Sequence, residues 1–181
     1  MMTGDINPSQ AIGRWFPGWG NPPMELTKGA TVEMIRGKLA MVDTSLTPDG
    51  FKPVPATANQ RSPIWAIPTD VSNDSRKAGT KFAGITDGFG TLNVVGTVEP
   101  FSAVQNDNTA AGKVKAFVLS DVTASPSEAT IETALLDPSR LVGICFGHDG
   151  EAFSGSQTAV VDNETNGGLG IAVIKLRGAM F

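Results

Sequence analysis

Cys145 and His148 are the only cysteine and the only histidine in the chain, three residues apart. A thiol activated by an imidazole needs the two side chains within hydrogen-bond reach. On a continuous strand, positions i and i+3 point to opposite faces, and Cys145 shares its face with Gly143 and Gly147. The spacing therefore predicts a core thiol and a turn histidine, and the pair is too small a donor set for zinc. No stretch supplies the G-x-S-x-G elbow of a serine hydrolase; Phe153-Ser154-Gly155-Ser156 does not match, and His148 is the sole candidate base. Gly37-Lys38-Leu39 lacks the glycine loop and hydroxyl of a phosphate loop. Gly84, Gly88, Gly90 and Gly96 miss dinucleotide-binding spacing, and Gly88 with Gly90 reads as hairpin geometry. Asp162-Asn163-Glu164 and Asp107-Asn108 offer oxygens, but neither fits the twelve-residue calcium loop, and Asx turns account for both. No catalytic residue, cofactor or metal site is expected.

Other residue types are suited to contact. Trp15, Phe16 and Trp19 stand among Pro17, Gly18, Gly20, Pro22 and Pro23, a composition that forms neither a helix nor a central strand. It predicts an extended N-terminal arm over residues 1–29, lying on a neighbouring subunit or capping its own body, with Trp as the anchor. Arg36 with Lys38, Lys113 with Lys115, and Lys175 with Arg177 are cations two apart in or beside predicted strands. If those strands are neighbours, they form a basic stripe for an acidic partner; the alternative is solvated edge protection.

The net charge of −4 over 181 residues carries no footprint for nucleic acid, and no basic run suits an anionic membrane. Neither a signal-peptide pattern nor an apolar run of spanning length occurs, which predicts a soluble chain made in a cytoplasm. A single cysteine cannot form an internal disulfide. Twenty-one Gly and twelve Pro fit many short strands with punctuated turns.

These residues are to be positioned by a mainly β body over residues 30–181, an antiparallel sandwich or small barrel. Residues 31–42 read as two strands about a turn at Arg36-Gly37-Lys38, and residues 45–61 as a Pro-rich loop. Pro63 and Pro68 bracket what reads as a short edge strand, and residues 71–80 as an exposed loop. The Asp87-Gly88 turn leads into residues 91–98, with Leu92, Val94 and Val98 on one face. Residues 105–109 read as a loop and 113–119 as a strand. Ser125-Pro126-Ser127-Glu128 is a capping box, predicting one short helix to about residue 136; a Thr-rich strand at residues 130–133 competes with it. Val142, Ile144 and Phe146 share a face, as do Ala172, Ile174 and Leu176. Residues 157–161 and the final strand read as a hairpin about Asn166-Gly167.

The order of these segments is a short arm, a strand pair at residues 30–42, a Pro-rich insertion ending in Pro63-Ile64-Trp65-Ala66-Ile67-Pro68, then Gly-punctuated strands. Residues 112–119, a Ser/Thr-rich segment, residues 140–147 and a closing strand at 171–177 complete it. That order resembles the cement or decoration proteins of tailed-bacteriophage capsids over roughly residues 26–177, with a longer loop at 45–61. The resemblance implies a structural, non-enzymatic virion protein that binds the major capsid protein on the outer surface of an expanded shell. It further implies self-association as a dimer or trimer. Other expectations are a different non-enzymatic virion part, of the tail or head completion, or a carbohydrate- or small-ligand-binding module with exposed Trp19 and Trp65.

Overall fold

A computed structural model describes residues 13, 15–29, 33–45, 50–57, 60–69, 81–118, 127–129, 138–148, 158–161 and 170–176. Its strands are β1 (Trp15–Gly20), β2 (Met24–Thr27), β3 (Ala40–Asp43), β4 (Gly50–Pro53), β5 (Trp65–Pro68), β6 (Lys81–Ile85) and β7 (Gly88–Asn93). They continue with β8 (Thr97–Val98), β9 (Ala103–Asn106), β10 (Val114–Ala116), β11 (Gly143–His148), β12 (Val160–Val161) and β13 (Ile171–Leu176). The fold is mainly β and antiparallel, with sheets packed as a sandwich.

The alternation in β13 decides the first sheet. Ala172, Ile174 and Leu176 are fully buried on one face, and both strand edges are occupied, by β7 from Ile171↔Asn93 to Leu176↔Gly88 and by β11. The sheet order is β1-β7-β13-β11-β9-β10. With both sides of β13 taken, β12 pairs with β8 instead, so the expected hairpin with the last strand does not form. The turn at residues 162–169 lies outside the described residues, as do residues 71–80 and most of the expected helix, of which Glu128 and Ala129 are helical.

The second sheet, in the order β2-β6-β5-β3-β4, nearly closes on itself. Lys28 bridges Phe51 in parallel fashion, and Gly29 N–H donates to the Phe51 carbonyl at 3.0 Å, so the two edge strands meet. Leu26, Phe82, Ala66, Ala40 and Phe51, each from a different strand, fill the inside with Met34. Phe51 and Phe82 meet edge to face at 6.0 Å. On the outer side Met41, Trp65, Ile67 and Ile85 pack against Leu92, Val104, Cys145, Ile174 and their neighbours from the first sheet. That inter-sheet core is the main source of stability, each fully buried Val, Leu or Ile contributing about 1.5–3 kcal/mol. The expected sandwich is thus formed by the two sheets together, the second of them with its edge strands in contact.

Several expectations need correcting. Residues 15–29 of the expected arm belong to the body: β1 pairs with β7 and β2 with β6. Pro17 and Gly18 are tolerated because β1 is an edge strand whose register shifts between Trp15↔Gly90 and Gly20↔Gly88, so no ladder bond from Pro17 is needed. Residues 33–35 are not a strand; Gly37 N–H donates to the Pro68 carbonyl and Lys38 N–H to that of Ile35, leaving no hairpin partner for them. The expected loop at 45–61 contains β4, which pairs with β3. β5 lies in the middle of its sheet, because its first half pairs with β3 and its last half with β6, so neither proline interrupts a shared ladder. Gly88 begins a crossing between sheets, since β6 and β7 belong to different ones.

Asp43, at the loop end of the β3–β4 pair opposite Gly50, accepts from Lys52 and twice from Ser45, which hold its carboxyl down to about 2. This contribution to stability is complete above the ordinary value of 3.8 and is lost as pH falls through about 2.

At Gly143 the backbones of β11 and β13 leave no space: an added Cβ would lie 2.1 Å from the Lys175 carbonyl oxygen. Gly143→Ala should cost roughly 2–3 kcal/mol of unfolding free energy in a urea titration. A loss within experimental error would show that this contact does not constrain the sheet.

Candidate functional site

Two surfaces emerge. The first is basic. Leu39 N–H donates to the Gly112 carbonyl at 2.8 Å, bringing the turn at residues 36–38 against the start of β10. Gly112 has φ +72°, and a Cβ there would lie 2.7 Å from the Lys38 Cβ, so the Lys38 stem lies over it. Arg36, Lys38, Lys113 and Lys115 therefore gather at one corner, with Lys38 exposed and the other three half-buried. Lys115 Nζ donates to Asn108 Oδ1 at 2.7 Å. Asp107, an acid of the adjoining loop, is 2% exposed: burial pushes its carboxyl up, but bonds from Thr109 and Ala110 and the Lys115 charge outweigh that and hold it below the usual value. Its oxygens are thus turned into their own loop as an Asx turn.

Lys175 does not join this corner. In the sheet order β11 and β9 stand between β13 and β10, and on the other side, where Val114 bridges Val94 just after β7, β7 stands between them, so the strand of Lys175 is not a neighbour of β10. Arg177 lies outside the described residues. Trp15 and Phe16 are half-buried; Trp15 packs on the inter-sheet core, as the capping alternative expected. Trp19 belongs to β1, and its side chain lies outside the described residues.

The second surface centres on a residue that the sequence reading missed. Ser102 N–H donates to the Glu99 carbonyl at 3.2 Å across Pro100 and Phe101. Phe101 has φ +63°, the one described non-glycine residue on the left-handed side. Proline second and positive φ third define a type II turn, whose third position ordinarily takes Gly or Asn. A bulky side chain there is strained. Yet Phe101 is 66% exposed, supported edge-on by Phe146 at 5.6 Å, which rests on Phe89 at 4.9 Å. Alongside lies Ile144, 44% exposed, opposite Lys175 on β13 and Ala103 on β9. So the apolar face of β11 formed by Ile144 and Phe146 points away from the inter-sheet core, while Cys145 points into it. The signal lay in Glu99-Pro100-Phe101-Ser102, a proline turn with an aromatic in glycine's place.

The Cys145–His148 argument from spacing also changes. A bulge with Gly147 at φ +92° shifts the register, so Cys145 lies opposite Ile174 and His148 opposite Ala172, which share a face. Burial nonetheless pushes the Cys145 thiol up, only partly offset by the Gly147 N–H donating to its Sγ at 3.3 Å, so the neutral thiol dominates. Trp65 is 2% exposed, in the core, and offers no stacking platform to a sugar. Among the described residues no three His, Cys, Asp or Glu side chains gather as a metal site.

No protein-family model, curated protein or solved structure matches this chain.

Because Phe101 is exposed and strained, Phe101→Gly should leave the unfolding free energy within about 1 kcal/mol of the parent, the relieved strain offsetting lost contacts. A loss in the 3–5 kcal/mol range of a core Phe truncation, roughly, would mean that Phe101 serves the fold.

Proposed function

We propose that this protein is a structural virion component that binds the outer surface of an expanded tailed-phage capsid and stabilises it. The observation that carries the reading is the corner where Arg36, Lys38, Lys113 and Lys115 collect on a chain of net charge −4. A local cationic surface on an acidic body steers and orients docking onto an acidic lattice without drawing the whole protein to nucleic acid. The strand order that resembles cement proteins supports the same reading, as does a body that needs no disulfide. Many symmetric copies on a shell turn modest contacts into high avidity.

The test is co-sedimentation with expanded and unexpanded heads of the phage whose genome encodes the chain. Expanded heads should retain hundreds of copies each, by the general arithmetic of capsid symmetry. Binding should fall about tenfold for the double variant Lys38→Glu, Lys113→Glu and weaken with added salt. No retention on either kind of head would refute the proposal. A handful of copies per particle would favour a tail or head-completion part.

A further inference from the structure

Phe101 and the groove beside Ile144 lie on one face of the first sheet. The groove holds about 290 Å³ and is lined by Ala103, Leu141, Gly143, Ile144, Lys175 and Leu176, an apolar set with one cation. The knob is Phe101, with the exposed carboxylate of Glu99 at the start of the same turn. Neither the Glu99 carboxylate nor the Lys175 ammonium has a hydrogen-bond or ion-pair partner among the described residues. Ile144 in the groove and Phe146 under the knob are two residues apart on β11, about 7 Å along the strand.

We propose that this face takes a second copy of the chain, with Phe101 of each copy seated in the other's Ile144 groove and Glu99 of each facing the other's Lys175. A two-fold axis lying in the plane of the interface, passing between knob and groove, makes both contacts twice and closes the assembly. Another protein would need an aromatic group, a hollow, an anion and a cation in the matching arrangement; a second copy supplies all four by symmetry. The strained turn then has a purpose. Glycine would satisfy the backbone more cheaply, whereas Phe101 supplies an aromatic anchor of the kind that interfaces favour. This association is independent of the capsid reading, which rests on the basic corner.

Sedimentation velocity of the full chain, up to roughly 100 µM, tests it. The parent should be a dimer. Phe101→Gly should be monomeric with a melting temperature, measured at a concentration where the parent is monomeric, that is unchanged or raised, separating loss of the interface from loss of the fold. Glu99→Lys and Lys175→Glu should each weaken dimerisation about tenfold through two like-charge contacts. Mixed in equal amounts they should dimerise again, because the mixed pair restores both opposite-charge contacts. A parent that stays monomeric or forms a trimer, a Phe101→Gly variant that still dimerises, or a mixture no better than either variant alone would each overturn the proposal.

Discussion

Three backbone hydrogen bonds close a ring. Leu39 donates to Gly112, Gly112 to Val54, and Val54 to Leu39, at 2.8, 3.1 and 3.1 Å. All three residues are buried, where an unpaired amide or carbonyl would cost about 1–3 kcal/mol. Leu39 and Val54 flank the β3–β4 pair of the second sheet, and Gly112 precedes β10 at the edge of the first. The ring therefore fixes the sheets at one corner, and side-chain packing between Trp65, Ile67, Leu92 and Ile174 extends that fixation across the core. Gly112 suits this position because its φ is +72° and because the Lys38 stem occupies the space of a side chain.

From this joint follows the placement of the surfaces. The basic corner exists because the same bonds press the turn at residues 36–38 onto the start of β10. Against the same turn lies Gly13, whose N–H donates to the Thr91 carbonyl of β7 and whose Cα is so near Gly37 N and the Pro68 carbonyl that a Cβ would be 2.7 Å from each. The chain thus ties both sheets together before β1 begins. What remains outside these ties is the far face of β11, where Ile144 and Phe101 stay exposed.

The strands of strongest alternation were legible. β13 could be read from Ala172, Ile174 and Leu176, which face the inter-sheet core, whereas the expected single strand over residues 91–98 divides into β7 and β8, which lie in different sheets. Rules that treat a residue in isolation failed where tertiary pairing intervened. Proline at both ends of β5 marks an edge only if one neighbour runs the full strand, and here each neighbour takes half. The i, i+3 rule separated Cys145 from His148, but a bulge at Gly147 removed a residue from the count. The basic pairs were legible as pairs; which of them meet depends on strand order, and that order left Lys175 apart. At Phe101 the sequence offers only the proline turn Glu99-Pro100-Phe101-Ser102; the positive φ that sets the ring outward is not written in it, because an aromatic after proline has no fixed φ.

Amide hydrogen exchange at Leu39, Val54 and Gly112, followed by NMR, addresses the joint most directly. If the ring locks the two sheets into one cooperative body, the three amides exchange only through global unfolding, with the same free energy as Ile174 and Leu92 in the core. Exchange of these three by local opening, well ahead of the core strands, would contradict the account: the sheets would then be hinged at that corner, with the basic surface no longer a fixed arrangement.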